Sequence, residues 1–192
     1  MRSGQLNRKT KETDIGVFLN LDGSGRCDIS TGIGFFDHML TAFAVHGGFD
    51  LELRCHGDLD VDGHHTVEDC GIALGQTFAQ VLSDKSNLTR YGSFYIPMDE
   101  SLAFCSVDIS SRPYLVLNGL NCSGMLGGYD TALTQEFMQA FAFNAGITLH
   151  INVLYGSNAH HMNEAVFKAL GHAMQIACSK TRGQVLSTKG VL

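Results

Sequence analysis

The fold is decided by a stretch that occurs twice, "HHTVEDCGIALG" at residues 64–75 and "HHMNEAVFKALG" at residues 160–171. The two copies agree at both histidines and at the Glu, Ala, Leu and final Gly, which is six of twelve positions. A motif that returns after 96 residues, about half the chain, indicates an internal repeat.

The repeat extends upstream of this motif. "HMLTAFAVHGGFDL" (38–51) aligns with "EFMQAFAFNAGITL" (136–149) at an offset of 98, and "ETDIGVFLNLD" (12–22) aligns more weakly with "ESLAFCSVDIS" (100–110). The aligned blocks keep the same order in both halves. We therefore predict one domain, residues 1–192, made of two repeats, about 1–92 and 93–192, joined near residues 88–97.

Periodicity predicts the elements of each repeat. Alternating apolar residues predict strands over 14–22, 49–62, 102–110 and 147–156. Helical spacing predicts helices over 35–48, 66–84, 134–146 and 163–180, and the second helix of each half begins just after a histidine pair. The predicted fold class is α+β, an internal duplication with helices packed between the sheets or on one face.

Composition excludes several classes of protein. The 192 residues are 44% hydrophobic and 17% charged, as expected for a globular chain, and the net charge of −6 without a basic run argues against a nucleic-acid partner. No apolar run approaches the length of a membrane span, and the first residues lack the apolar segment of a secretory signal. Six scattered cysteines predict reduced thiols in a cytoplasmic protein.

The repeated motif indicates a metal centre. On a helix, residues three and four apart share a face, which brings each Glu to the same face as the histidines of its pair. At the start of a helix the two histidines need not point the same way, so one pair can serve two sites. Imidazole and carboxylate together suit Mn, Fe, Zn or Ni better than Ca or Mg. The upstream alignment adds His38 opposite Glu136. Eight candidate ligands result: His38, His64, His65, Glu68, Glu136, His160, His161 and Glu164.

Other interpretations remain open at this point. A histidine at a helix start can simply cap or pack, and a glutamate is favoured there by the helix dipole. His46, His56, His150 and His172 have no matching partner in the other half and are predicted to be structural or on the surface.

Basic residues form a second group of candidate site residues. Arg90, Arg112, Lys168 and the segment "STKG" (187–190) are among the few cations beyond the N-terminus, and Lys168 shares a helix face with Glu164. Beside two metals such groups are able to bind a phosphate, Arg through two oxygens and Lys as a point charge. The alternative is a set of ordinary solvated cations.

Several long motifs, in order, resemble the imidazoleglycerol-phosphate dehydratase family: "TKETDI", "GIGFFDHML", "DGHHTVEDCGIALG", "RYGSFYIPMDE", "SRPY", "LHINVLYGSNAHHMNEAVFKA" and "STKGVL". The resemblance covers residues 8 to 192 and is to the monofunctional form. It implies a hydro-lyase of histidine biosynthesis, which dehydrates D-erythro-imidazole-glycerol phosphate to imidazole-acetol phosphate. It also implies two Mn(II) per subunit, a duplicated unit with four-stranded sheets, and a 24-subunit homo-oligomer built from trimers, with metal sites at subunit contacts.

The resemblance also implies roles for individual residues. One metal takes His38, His65, Glu68 and His161, and the other takes His64, Glu136, His160 and Glu164; many members have His where this chain has Glu136. The phosphate contacts fall on Arg90, Arg112, Lys168, Ser187 and Lys189. Glu12, which also contacts substrate, His65 and Glu164 are implied at the reacting centre.

A mechanism follows for such a site. With both ring nitrogens bound to metals, the substrate imidazole becomes an imidazolate and expels the neighbouring hydroxyl through a diazafulvene-like intermediate. Glu12 then moves the proton between carbon and solvent. Two rival functions compete with this one: a dinuclear metal hydrolase acting on a phosphorylated substrate, and a metal-linked storage or structural assembly without chemistry.

Overall fold

The computed structural model describes residues 1–181 and residue 187. Four helices and ten strands follow one another as β1 (Ser3–Lys9), β2 (Thr13–Asn20), β3 (Cys27–Ser30), α1 (Gly34–Gly47), β4 (Asp50–Gly57), α2 (His64–Val81), β5 (Tyr91–Met98), β6 (Ser101–Asp108), β7 (Tyr114–Asn118), β8 (Met125–Leu126), β9 (Tyr129–Asp130), α3 (Leu133–Ala145), β10 (Thr148–Tyr155) and α4 (Ala159–Cys178). No helix in the described part of the chain is long and apolar enough to cross a membrane.

The two halves form two four-stranded sheets of the same design. The first has the order β1-β2-β4-β3 and the second β5-β6-β10-β7, so the first, second, fourth and third strands of each half are neighbours. In both sheets the last pair is parallel and the others are antiparallel. The predicted α+β duplication is confirmed. The short β8–β9 hairpin between β7 and α3 is the main addition of the second half.

The four helices join the two sheets. Helices α1 and α2 pack on the first sheet and α3 and α4 on the second, while α1 packs on α4 and α2 packs on α3. Strand β2 shows why this face is covered, because Ile15, Val17 and Leu19 alternate inward and are almost fully buried. A row of aromatic rings, including Phe43, Phe78 and Phe141, fills the space between the helices.

The final glycine of the repeated motif explains how the halves meet. A Cβ atom on Gly75 would lie 2.7 Å from the carbonyl oxygen of Phe141, and one on Gly171 would lie 2.5 Å from that of Phe43. Only glycine permits so close an approach of two helices. Phe43 and Phe141 are the central residues of the two Ala-Phe-Ala segments, so each half packs its phenylalanine against the glycine of the other.

The structure moves some predicted boundaries. The strand predicted over 49–62 ends at Gly57, and α2 begins at His64 and α4 at Ala159, so both histidine pairs lie in the first turn of a helix rather than before it. The side chain of Asn158 accepts hydrogen bonds from the amides of His160 and His161. This cap lets α4 begin at Ala159, before the predicted start at residue 163. Edge strands such as β1 and β3, only partly buried, were missed because their apolar alternation is weak.

A pair of histidines, His46 and His172, lies between α1 and α4. Nδ1 of His46 lies 3.1 Å from Nε2 of His172, and the His172 ring stacks on Phe94 at 4.2 Å. Burial lowers the pKa of both imidazoles, and the facing His172 and Lys168 lower that of His46 further, with Glu164 opposing them. A hydrogen bond with Gln175 raises the pKa of His172 in part. The pair therefore favours neutral rings.

This pair should make stability depend on pH. Because the folded pKa values lie below the unfolded value of about 6.5, the unfolded chain binds more protons between the two, and stability is lost as the pH falls through that window. In metal-free protein, urea unfolding at about pH 7.5 and about pH 5.5 should show a smaller loss for His46→Gln than for the wild type. His56→Gln, on the exposed face of β4, is the control. An equal loss in all three proteins would contradict the assignment.

Candidate metal and phosphate site

Three of the predicted ligands meet within one chain. His38, from the second turn of α1, and His160 and Glu164, from the first turns of α4, place one nitrogen or oxygen donor each within 4.8 Å of one another. Nε2 of His38 lies 3.4 Å and Nε2 of His160 lies 3.1 Å from the same Glu164 oxygen. The packing of α1 on α4 at Gly171 brings these helix ends together, and the ring of Phe35 lies edge-on against His160.

The Glu164 carboxylate is the buried centre of this cluster. Its side chain is only 9% exposed, and its other oxygen accepts a hydrogen bond from Nζ of Lys168 at 2.7 Å. Burial raises the pKa of Glu164, but the hydrogen bond and charge of Lys168, with a contribution from His38, outweigh it and leave the pKa lowered. The carboxylate is thus ionised and ready to accept a cation.

The first half carries the equivalent groups on α2 and α3. Nε2 of His64 lies 3.8 Å from Glu68, one turn along α2. Glu136 lies in the first turn of α3, whose beginning adjoins the start of α2, since a Cβ on Gly63 would lie 3.3 Å from Leu133. Glu136 therefore has the place relative to α2 that His38 has relative to α4. Among the described residues, no hydrogen bond or ion pair joins its carboxylate to His64 or Glu68.

A cleft of about 650 Å³ opens at this end of the helices. Its walls come from the β3–α1 turn, the loop before α2 and the β8–β9 hairpin, and His64 lies in its lining. The volume is within the range of small-molecule pockets. A small ligand can therefore reach His64 at the start of α2.

The second histidine of each pair has different carboxylate neighbours from the first. The rings of His64 and His65 are inclined at 88° and those of His160 and His161 at 78°. Nδ1 of His65 lies 3.0 Å from Asp58, and a hydrogen bond to that carboxylate raises the pKa of His65. The two rings of each pair therefore point to different places, as the helix spacing allows.

His161 repeats this arrangement in the second half. Its Nδ1 lies 2.8 Å from Oε2 of Glu100, and the hydrogen bond to Glu100 raises its pKa. Sequence reasoning missed Asp58, Asp99 and Glu100. The alignment of Glu12 with Glu100 was the available signal for Glu100, whereas Asp58 fell inside a predicted strand.

Glu12 lies beside the second histidine of the first pair, with Oε1 3.8 Å from Nε2 of His65. The hydroxyl of Thr10 accepts hydrogen bonds from the amides of Glu12 and Thr13, both at 3.0 Å. The Thr13 hydroxyl in turn donates to the buried Asp69 of α2. This chain of contacts ties the loop before β2 to the helix that carries His65. The Glu12 side chain is half exposed and open to a ligand.

The predicted phosphate ligands lie in two places. Lys168 lies at Glu164, whereas the Arg90 guanidinium donates to Asp108 at 2.7 Å and Arg112 lies 3.8 Å from the same carboxylate. The Arg112 side chain is 71% exposed. Ser187 is partly buried. Lys189 lies outside the residues that the structure describes.

The arginines lie at the opposite end of α4 from the metal-ligand cluster. The amide of Arg90 donates to the carbonyl of Ala177, near the end of α4, while His160 lies in its first turn. From 160 to 177 is 17 residues, or about 25 Å at 1.5 Å per residue. One chain therefore does not bring its own Arg90 and His160 to a single small ligand.

Within one chain the donors group according to helix packing, while the partition that the family resemblance implied, with metal sites at subunit contacts, stays a prediction. That partition placed His38 with His65, Glu68 and His161, whereas within the chain His38 lies with His160 and Glu164. The physical reason is the packing of α1 on α4, which repeats as α3 on α2.

Comparison with known proteins agrees with this geometry. The family model for imidazoleglycerol-phosphate dehydratase matches residues 31–174, which include the cluster and both histidine pairs. The chain belongs to the imidazoleglycerol-phosphate dehydratase family. This is a family of dehydratases, lyases of histidine biosynthesis.

Relatives in this family match over nearly their whole length. The imidazoleglycerol-phosphate dehydratase of Acetivibrio thermocellus is 54% identical, with 100% of this chain and 99% of the relative covered. That of Clostridium botulinum is 57% identical, with 98% and 97% covered. The similarity to these relatives therefore extends beyond the residues that the family model matches.

Solved structures of the family share the fold. The crystal structure of imidazoleglycerol-phosphate dehydratase from Staphylococcus aureus matches with a TM-score of 0.85 at 41% identity, covering 93% of this chain and 99% of that one. The enzyme from Pyrococcus furiosus, solved in complex with (S)-C348, also matches with a TM-score of 0.85 at 41% identity, covering 97% and 100%.

Proposed function

We propose that this protein is a manganese-dependent hydro-lyase that converts D-erythro-imidazole-glycerol phosphate to imidazole-acetol phosphate. The observation that carries the proposal is the cluster of His38, His160 and Glu164, with Lys168 hydrogen-bonded to the same carboxylate. The candidate cation site therefore lies next to the Lys168 amine, which is able to bind a phosphate. Together with family membership, this juxtaposition suits a phosphorylated substrate that also carries an imidazole ring.

The donors fit Mn(II). Two imidazole nitrogens and one carboxylate oxygen converge within 4.8 Å, and such mixed nitrogen and oxygen sets suit first-row metals. We assign these three residues to one ion and, by the repeat, His64, Glu68 and Glu136 to a second. His65 and His161 supply the remaining donors, so that all eight predicted ligands are used.

The chain's own groups then divide the reaction between them. Mn(II) held by these residues would supply Lewis-acid chemistry that makes the N–H of the substrate's imidazole ring more acidic. Glu12, beside His65, takes the proton from the carbon next to the ring-bearing carbon, and the ring-bearing carbon, which has lost its hydroxyl, gains a proton in the product. Arg90, Arg112 and Lys168, with Ser187 and Lys189, hold the phosphate and fix the orientation of the reacting carbons.

We propose that each site is completed by neighbouring copies of the chain. The separation of about 25 Å along α4 between the arginines and the metal-ligand cluster exceeds the length of a substrate with one ring and three further carbons. A homo-oligomer of 24 subunits built from trimers, as the family resemblance implies, supplies the second copy. In the same way, His65 and His161, which contact Asp58 and Glu100 in their own chain, would supply donors to ions shared with a neighbouring copy.

Two rival functions would use the same residues. A dinuclear hydrolase would release inorganic phosphate, and a storage assembly would bind metal without turnover. Glu12 argues against the storage assembly, because an exposed carboxylate held beside His65 by Thr10 suits proton transfer and is not needed for storage. The products distinguish the hydrolase from the dehydratase.

Titration of metal-stripped protein with Mn(II) tests the proposal. Turnover of imidazole-glycerol phosphate should be absent in the stripped protein and should rise to a maximum near two equivalents per chain, because the eight proposed ligands would hold two ions. The keto product is followed directly, with inorganic phosphate measured in parallel. Full activity without metal, or release of phosphate in place of the keto product, would overturn the assignment.

A further inference from the structure

Each second histidine of a pair has two carboxylates at its two ring nitrogens. In the first half Asp58 lies 3.0 Å from Nδ1 of His65 and Glu12 lies 3.8 Å from Nε2. In the second half Glu100 lies 2.8 Å from Nδ1 of His161 and Asp99 lies 3.8 Å from Nε2. The two halves differ in sequence around these carboxylates, yet both place one at hydrogen-bond distance from Nδ1 and leave Nε2 farther from its neighbour.

A carboxylate at Nδ1 decides which ring nitrogen is able to bind a metal. In neutral imidazole one nitrogen carries the proton and the other has the free lone pair. An ionised carboxylate only accepts, so it keeps the proton on Nδ1 and leaves Nε2 as the metal donor. Metal-bound histidines in proteins commonly have such a partner on the other nitrogen.

We propose that Asp58 and Glu100 are positioning residues that fix His65 and His161 in the tautomer and orientation needed for metal binding through Nε2. The inference rests on the proposed function in that it takes both histidines as manganese ligands. It adds two residues outside the predicted site and gives the turn before β6 a role in metal binding. Neither carboxylate belongs to the eight predicted ligands.

Glu100 is held more firmly than Asp58. Its Oε1 accepts from the amides of Ser157 and Asn158 and from the Ser101 hydroxyl, which leaves Oε2 for His161. The same residue therefore fixes the beginning of α4 and the ring of His161 together. Both carboxylate oxygens of Asp58 lie close to Nδ1 of His65, at 3.2 and 3.0 Å. Within the described part of the chain, the Asp58 side chain makes no other hydrogen bond.

This difference makes the two amide variants unequal. In Glu100→Gln the amide oxygen keeps the backbone bonds, so the NH₂ group faces Nδ1 of His161, donates to it and moves the ring proton to Nε2. In Asp58→Asn the amide is free to flip and present its oxygen to His65. Glu100→Gln should weaken Mn(II) binding about 10- to 100-fold, and Asp58→Asn much less.

The experiment measures Mn(II) binding directly, without turnover. Metal-stripped full-length protein is titrated with Mn(II), and free Mn(II) is followed by its electron paramagnetic resonance signal. Asp60→Asn, an exposed aspartate in the loop that holds Asp58, makes the same charge change and should bind as the wild type does. Co(II) loaded in place of Mn(II) reports the ligand set through its visible absorption, which should change in Glu100→Gln and not in Asp60→Asn. If Glu100→Gln does not fold, Asp58→Ala replaces it with the same expected loss.

The outcomes separate the two proposals. Wild-type protein that binds no Mn(II) would overturn the proposed function and this inference with it. Wild-type protein that binds Mn(II), with affinity and Co(II) spectrum unchanged in Glu100→Gln or in its substitute Asp58→Ala, would overturn the inference alone. Weaker binding with an unchanged Co(II) spectrum would assign Glu100 to the stability of the α4 start and also contradict the positioning role.

Discussion

Replacing Glu12 by glutamine is expected to lower turnover of imidazole-glycerol phosphate by about 10²- to 10⁴-fold, the usual contribution of a positioned acid–base group. The change removes the proton acceptor but keeps the size of the side chain. Glu12 lies 3.8 Å from Nε2 of His65, and its side chain is 52% exposed, so the substitution should cost little stability. Substrate affinity and Mn(II) content should stay near those of the wild type.

Glu52→Gln is the matched control, because Glu52 lies on the exposed side of β4. For each variant, steady-state kinetics and metal content are measured on the same protein preparation. Near-normal turnover in Glu12→Gln would refute its role in proton transfer. Loss of Mn(II) together with turnover would instead identify Glu12 as part of the metal site.

The duplication and its helices were predictable because the signal is carried by residues that must be retained in both halves. Gly75 and Gly171 are fixed by the close approach of a helix backbone, and Phe43 and Phe141 by the core they fill. These are the residues that align. Strands with one exposed face and an edge, such as β1, leave a weaker periodic signal and were missed for that reason.

The site was only partly accessible to sequence reasoning. Alignment of the halves predicted His38 and Glu136 as additional ligands, and the structure brings His38 to Glu164. The grouping of the donors depends on which helices pack together, and that information is absent from the spacing of one motif. Asp58 and Glu100 were missed because a residue that orients a ligand has no fixed distance from it in sequence.

The second large effect is recovery of activity in mixed oligomers, which is expected because the arginines and the metal-ligand cluster lie at opposite ends of α4. Arg112→Ala and Glu164→Gln should each be nearly inactive, the first through loss of a phosphate contact and the second through loss of a metal ligand. When both chains are co-expressed and assemble at random, roughly a quarter of the sites should combine an intact arginine with an intact cluster from another copy. Activity should therefore return to about that fraction of the wild type.

A second mixture serves as the control, since His38 and Glu164 lie 3.4 Å apart in the same chain. Every chain in a mixture of His38→Ala and Glu164→Gln carries one damaged cluster, so no recovery is expected. Different affinity tags on the two chains, purified in sequence, show that mixed oligomers have formed. Recovery in the first mixture and not in the second would mean that the arginine and the cluster reach one substrate from different copies. If mixed oligomers form and neither mixture recovers, the arginine and the cluster act within one chain, and the 25 Å separation along α4 must close in some other way.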